Sequence, residues 1–163
     1  MNDILYEQTM KRTLSRNEKL VNVGILIAGV VGIIVFLVIF PRFFVLPAMI
    51  ILTAEYYVLP LKSNIEVEYS FFDHVLDISY IYNKQKRKTK LELDTRSAVV
   101  ILPTDSEEID DYHSKKEMDF SSGEKDRRTY SVMVRKDGAL NQVIIEPDDE
   151  LLMLLKASVG KRV

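Results

Sequence analysis

The chain has 163 residues, of which 47% are hydrophobic and 28% are charged, and its formal net charge at pH 7 is −2. Because it contains no cysteine, disulfide bonds, thiolate zinc sites and cysteine nucleophiles are excluded. The apolar residues are concentrated between positions 21 and 59, which leaves room for one further domain of about a hundred residues.

The leading segment, residues 1–20, mixes charged residues with apolar residues at Ile4, Leu5, Met10, Leu14 and Leu20. This pattern predicts a cytoplasmic, amphipathic helical lead-in to the apolar region. Two interpretations of this helix are open. It lies along the inner membrane surface and senses lipid, or it is a solvated lead-in to the first span.

Residues 21–40, VNVGILIAGVVGIIVFLVIF, carry no charge, and about twenty apolar residues are needed for a helix to cross the hydrocarbon core of a bilayer. A second apolar run, residues 43–59, follows Pro41 and Arg42. The two runs predict a membrane α-helical hairpin. A cleaved signal peptide is the alternative, but its apolar region is shorter and ends at small residues.

The orientation of this hairpin follows from the basic residues near its ends. Four of them precede the first span, one follows the second span, and the turn contains only Arg42; the flanking residues are Lys11, Arg12, Arg16, Lys19 and Lys62. Because cytoplasmic flanks are enriched in lysine and arginine, we predict a multi-pass protein of the cell membrane with both termini in the cytoplasm.

Small residues in the first span, Gly24, Ala28 and Gly32, have a spacing that lets helices approach closely. They are predicted to pack against the second span, and a homodimer contact is the alternative. Glu55 is the one acidic residue of the second run. Its place near the end of the run, beside two tyrosines, predicts a carboxylate that reaches interfacial water rather than one that relays protons or takes part in transport.

From position 64 the hydrophobic pattern changes to the two-residue period of half-buried strands. Strands are predicted over residues 64–72, 75–83, 88–94, 95–103, 127–136 and 139–147, with a tight turn at Asp137-Gly138. Residues 104–126 are rich in Asp and Glu and are predicted to form a long acidic loop. Pro147 and three following acidic residues predict the start of a C-terminal helix. Together, the predicted strands and this helix form a cytoplasmic domain over residues 61–163.

Residues 75–102, VLDISYIYNKQKRKTKLELDTRSAVVIL, resemble the bacterial pleckstrin-homology (PH)-like, membrane-flanking domains, in which a strand, a basic turn, a strand and a polar-apolar segment follow in this order. The whole chain is similar to small uncharacterised bacterial two-helix membrane proteins with a β-rich C-terminal part. The resemblance implies a curved antiparallel sheet or partly open barrel that a C-terminal helix closes. The predicted fold class is therefore a membrane α-helical hairpin followed by an α+β domain.

The most concentrated group of basic residues, here called the basic patch, consists of Lys84, Lys86, Arg87, Lys88 and Lys90. In a domain held at the inner leaflet, each cation near anionic head groups is worth about 1 kcal/mol. The alternative is a charged hairpin tip that only keeps the sheet soluble.

These features predict a membrane-anchored, non-enzymatic interaction module at the cytoplasmic face, which binds a protein partner or an anionic lipid surface. The alternative is an accessory subunit of a larger membrane complex assembled through the helix pair. The predicted partners are accordingly the lipid bilayer, a membrane or cytoplasmic protein, and a second copy of the chain.

Catalytic motifs do not occur in the sequence, which has no glycine-rich phosphate loop, nucleophile elbow or metalloprotease signature, and no enzymatic activity is predicted. His113 in the acidic loop and His74 in a turn match no metal-binding spacing, so neither a metal nor another cofactor is predicted. Nucleic-acid binding is not predicted, because acidic residues surround the single basic patch.

Overall fold

The structure, a computed structural model, describes residues 5–43, 45–124, 126–136 and 138–159, with the side chains of residues 59–63 and 136 excepted. In this part of the chain two apolar helices accompany a domain of two sheets and one helix. The strands are β1 (Tyr6–Arg12), β2 (Ile65–Phe72), β3 (Val75–Tyr82), β4 (Lys86–Asp94), β5 (Ala98–Pro103), β6 (Lys116–Asp119), β7 (Tyr130–Lys136) and β8 (Ala139–Ile145). The helices are α1 (Arg16–Ile39), α2 (Val45–Ser63) and α3 (Asp149–Ser158).

The leading segment contains a strand, so the prediction of a helix throughout residues 1–20 is wrong for Tyr6–Arg12. β1 pairs antiparallel with β2, from Tyr6 opposite Phe71 to Arg12 opposite Ile65. Its side chains alternate between half-buried and exposed, the period of a strand. The sequence pattern is weak because only Tyr6 and Met10 are apolar on the inner side.

The pairing of β1 with β2 means that the sheet extends beyond the predicted domain of residues 61–163. Both apolar helices lie in the connection between these two neighbouring strands. Since Arg12 and Ile65 are register partners, the helix pair begins and ends at the same corner of the sheet.

The helix α1 begins at a capping box, in which the Ser15 hydroxyl accepts from the Glu18 N–H and the Glu18 carboxylate accepts from the Ser15 N–H. None of its residues is buried. Within the described residues, α1 alone is long and apolar enough to cross a membrane by length and composition, and the apolar part of α2, Val45–Val58, is shorter. Large exposed apolar surfaces of this kind are rare in soluble monomers.

The β domain consists of two four-stranded sheets, with the orders β1-β2-β3-β4 and β5-β7-β8-β6. Their inner faces form one apolar core, which includes the fully buried side chains of Tyr69, Leu76 and Ile78. α3 contributes Leu151 and Leu155, both also fully buried, and burial of such a side chain stabilises the fold by roughly 1.5–3 kcal/mol. The predicted antiparallel strands and C-terminal helix are confirmed.

The described part of the acidic stretch, residues 104–124 and 126, contains a strand where a loop was predicted. Lys116–Asp119 form β6, which pairs parallel with β8, and Phe120 is buried in the core. The Tyr69 hydroxyl donates to the Phe120 carbonyl at 2.8 Å and accepts from the Glu146 N–H at 3.0 Å. The pairing of β6 and the buried Phe120 therefore hold this stretch, although its nine acidic residues are exposed.

Side chains of β1 also hold the start of α3. The Tyr6 hydroxyl donates to Asp148 Oδ2 at 2.5 Å, and Asp148 caps α3 by accepting from the Leu151 N–H at 2.9 Å. The Gln8 amide donates to the Glu146 carbonyl and accepts from the Asp148 N–H. The strand that enters α1 is thus tied to the last helix of the domain.

The register of β1 against β2 predicts a specific disulfide. In the cysteine-free chain, Glu7→Cys with Ser70→Cys should cross-link under mild oxidation, because directly opposed β-carbons lie about 4.5–5.5 Å apart. Glu7→Cys with Asp77→Cys is the matched control, since Asp77 pairs with Ser70 one strand further on, roughly 10 Å from β1. Mass spectrometry after alkylation measures the yield, and equal yields in both pairs would contradict the register.

The bond between Tyr6 and Asp148 predicts a dependence of stability on pH. The hydrogen bond to Asp148 is the main cause that raises the pKa of Tyr6 from 10.0 to about 12. Because the folded-state pKa is the higher one, the stabilisation is complete below about pH 10 and is lost as the pH rises towards 12. The melting temperature of Tyr6→Phe should therefore be below that of the unsubstituted chain at pH 8, and the difference should shrink between pH 10 and 12. A difference that stays constant over this range would contradict the role of the bond.

Candidate functional site

The basic patch lies on the hairpin that joins β3 to β4. Its turn residues Asn83 and Lys84 have positive φ values of 49° and 56°, as the twist of a tight hairpin requires at its two central positions. The Gln85 N–H donates to the Tyr82 carbonyl at 3.1 Å and closes the turn. All five basic side chains of the patch are exposed.

The strand geometry divides the basic patch between the two faces of the sheet. Lys86 is paired with Tyr82 and Lys88 with Tyr80, and directly paired residues point to the same face. These two lysines therefore lie on the face that carries the core tyrosines. Arg87 is paired with Ile81 and lies on the opposite face.

Arg87 is engaged by an acidic residue on that opposite face. Its Nε atom lies 2.9 Å from Oε2 of Glu68, and the side chains of Arg87 and Glu68 are 50% and 11% exposed. A carboxylate this far removed from water needs a compensating cation. Arg87 therefore compensates the charge of the Glu68 carboxylate. No local pattern in the sequence distinguishes Arg87 from its basic neighbours.

Lys90 lies at the register shift between β3 and β4, and its ammonium is over the faces of two tyrosines. The Nζ atom is 4.9 Å from the ring centre of Tyr80 and 5.8 Å from that of Tyr82, within the range of a cation–π contact. Burial raises the pKa of Tyr80, so its hydroxyl stays protonated and its ring uncharged at physiological pH.

Arg12 also belongs to this site, although it was not among the predicted site residues. Its guanidinium carbon lies 5.5 Å from the ring centre of Tyr80, and its Nη1 atom lies 2.9 Å from Oε1 of Glu18 in the first turn of α1. Arg12 reaches this position only because β1 is a strand, so no local sequence signal marked it. We define the basic–aromatic cluster as Arg12, Tyr80, Tyr82, Lys86, Lys88 and Lys90.

Of the three small residues predicted to pack against α2, Gly32 lies against it and Gly24 does not. A side chain built at Gly24 would meet nothing within 4 Å, whereas one at Gly32 would meet the Ile51 side chain at 3.7 Å. Ala28 is exposed. The closest approach is at Gly29, where an added β-carbon would collide with the carboxylate of Glu55.

The Glu55 carboxylate lies against α1 at Gly29 and does not extend away from the helix pair, as the predicted contact with interfacial water would require. Its Oε1 atom is buried and has no hydrogen-bond partner among the described residues. The contact at Gly29 is about 12 Å along α1 from Val21, at the helical rise of 1.5 Å per residue. Glycine permits this contact because it has no side chain to displace the carboxylate.

The side chains that could ligate a metal ion are dispersed over the β domain. Among the described residues, no three His, Asp or Glu side chains form a group that could hold a metal ion. His113 is exposed, and His74 is half-buried in the turn between β2 and β3.

The similarity of the chain to known proteins lies at the level of a sequence family. The sequence model of a family described as "Bacterial PH-like domain (DUF6106)" matches residues 2–163. Neither the curated proteins nor the solved structures yielded a match.

Proposed function

The chain belongs to the bacterial PH-like domain family (DUF6106), and from this premise we propose that it is a membrane-anchored interaction module whose basic–aromatic cluster contacts the anionic lipids of the inner leaflet. A PH-like domain suggests a module that binds lipid or protein. The fold alone does not identify a ligand. The observation that carries the proposal is the position of Lys86, Lys88 and Lys90 on one face, beside the start of α1.

Membrane anchoring is supported by the exposure of the apolar helices. No residue of α1 is buried, and the helix has the length and composition of a membrane span. An apolar helix of this length in water would expose a surface that favours aggregation or association. Insertion of α1 into a bilayer removes this surface from water.

A two-span topology is supported by the pairing of β1 with β2. If α1 crosses the membrane, its N-terminal flank ends at Arg12 and the flank of α2 begins at Ile65, its register partner. Two adjacent residues of one sheet must lie on the same side of the membrane. α2 therefore returns across the bilayer, and the excess of basic residues near β1 favours the cytoplasmic side for both flanks.

Contact with lipid head groups is supported by charge and by distance. The links between the sheet and the helices are short, since only residues 13–15 separate β1 from α1 and only Asn64 separates α2 from β2. The basic–aromatic cluster is therefore held close to the level where the helices enter the bilayer. Lysines and tyrosines are typical of this interfacial region.

An accessory subunit of a larger membrane complex is the second candidate function. It is favoured by the outer surface of α2, where Leu46, Met49, Ile50, Ala54 and Tyr57 line an apolar depression of about 510 Å³. Cross-linking in native membranes separates the candidates: partners captured from the helices favour a subunit, whereas partners captured only from the β domain favour a module that acts through its sheet.

The topology can be tested by cysteine accessibility. Arg42→Cys in the turn between the helices should react with a membrane-impermeant thiol reagent in intact cells, and Ser97→Cys should react only after lysis. Both residues are exposed, so burial in the protein does not confound the comparison. Labelling of Ser97→Cys but not Arg42→Cys in intact cells would show that the orientation is the reverse of the proposed one. Labelling of both would exclude a hairpin across the membrane.

The lipid contact can be tested on a soluble domain that retains β1. Replacing residues 14–63 with Asn-Gly converts β1 and β2 into a hairpin, because Arg12 and Ile65 are already paired. Once a cooperative melt shows that this variant folds, it should sediment with anionic vesicles, bind neutral ones weakly, and dissociate as salt rises.

The two faces of the hairpin supply a matched control for this experiment. In the same domain, Lys86→Gln with Lys88→Gln should weaken binding to anionic vesicles by about tenfold or more, at about 1 kcal/mol per cation. Arg87→Gln removes a cation that is ion-paired to Glu68 on the other face, so it should weaken binding much less. Equal effects per charge would contradict a contact through one face, and no effect of either would favour a protein partner.

A further inference from the structure

A groove lies at the corner where α1 meets the sheet, and we call it the junction groove. It has a volume of about 300 Å³ and is lined by apolar side chains from the link before α1, from α1 and from two strands, namely Leu14, Val21, Ile65 and Tyr82. This volume is at the lower end of the range for small-molecule sites. The groove borders the core, because Ile65 belongs to the core cluster and Tyr82 packs against it. Its walls are the first turns of α1 on one side and the adjacent ends of β2 and β3 on the other.

The polar groups at the junction groove are few and come from α1. Asn17 and Asn22 line it, and their amides offer both donors and acceptors. Glu18 also lines it, but its carboxylate accepts from the Arg12 guanidinium and from the Ser15 N–H, both at 2.9 Å. The negative charge of Glu18 is therefore already compensated.

Cations border the junction groove at Tyr82. Lys90 Nζ lies 5.8 Å from the Tyr82 ring centre, and Lys86 is the register partner of Tyr82. At the other end, Val21 belongs to the exposed apolar surface of α1, which begins at Leu20. One end of the groove is thus basic, and the other continues into the surface that we assign to the bilayer.

We infer that the junction groove binds a single anionic phospholipid, with part of one acyl chain between Leu14, Val21 and Ile65 and the phosphate at Lys86 and Lys90. This inference rests on the proposed function and deepens it, since it distinguishes one bound lipid from a general attraction to the leaflet. An occupant with a long apolar tail and one anionic head group matches both ends of the groove. The side-chain amides of Asn17 and Asn22 can donate hydrogen bonds to the ester carbonyls that lie between the head group and the acyl chain.

The absence of tryptophan from the chain allows a single fluorescent reporter to be placed in the groove. The full-length chain with Tyr82→Trp is reconstituted in phosphatidylcholine bilayers that contain rising fractions of phosphatidylglycerol with brominated acyl chains. A bound chain quenches the indole, and quenching should saturate at about a tenfold lower mole fraction of brominated phosphatidylglycerol than of brominated phosphatidylcholine.

Tyr130→Trp is the matched control. Tyr130 is also half-buried, and Lys156 Nζ lies 5.6 Å from its ring centre, but it is in β7, away from α1. Its fluorescence should show no preference between the two brominated lipids. In the Tyr82→Trp background, Leu14→Gln should remove the saturable part of the quenching.

Two results would overturn the inference. Quenching that rises in proportion to the mole fraction and equally for both head groups would mean that the indole of Tyr82→Trp is only immersed in the bilayer, and no quenching by either lipid would mean that no chain enters the groove. If the fold does not tolerate Tyr82→Trp, native mass spectrometry of the unsubstituted chain should retain one phosphatidylglycerol, and Leu14→Gln should lose it. Either negative result with intact vesicle binding through Lys86 and Lys88 refutes the inference and leaves the proposed function standing.

Discussion

The pairing of β1 with β2 across the helix pair is the constraint on which the rest of the structure depends. Arg12 and Ile65 are neighbours in the sheet, although two helices separate them along the chain. Loop-closure entropy rises only slowly with loop length, by about 0.6 kcal/mol per doubling. A long insertion between two paired strands is therefore tolerated when the ladder, the core and the contacts to α3 offset it.

The link between β1 and α1 adds a further hold on the acidic stretch, beside the pairing of β6 with β8. The Thr13 N–H and hydroxyl both donate to the Ser122 carbonyl, at 2.7 and 2.8 Å, and the Ser122 N–H donates to Glu146 Oε2 at 3.0 Å. The link between β1 and α1 thus bonds to the segment that follows β6. The link that enters the helices is therefore hydrogen-bonded to the segment between β6 and β7, two strands of the other sheet of the β domain.

Sequence patterns were sufficient for the strands whose alternation is strong and for α3, whose apolar residues recur at helical spacing. They were insufficient for β1 and β6, because each is short of apolar residues and is held by its partner strand more than by its own composition. The place of Arg12 in the basic–aromatic cluster could not be predicted for the same reason, because it requires β1 to be a strand. The separation of Arg87 from Lys86 and Lys88 could be deduced from a two-residue period, but its pairing with Glu68 requires the register between β2, β3 and β4.

The contact between Gly29 and Glu55 shows how the same constraint acts along the helices. With both helix ends anchored at Arg12 and Ile65, the register of α2 against α1 is determined by the sheet as well as by the helix surfaces. This register brings the Glu55 carboxylate to Gly29 and leaves Gly24 and Ala28 on the exposed surface. Small residues alone could not specify this choice, because several along α1 permit close approach. The position of the one acidic group of α2 therefore depends on strand pairing outside the helices as well as on the contacts between the helix surfaces.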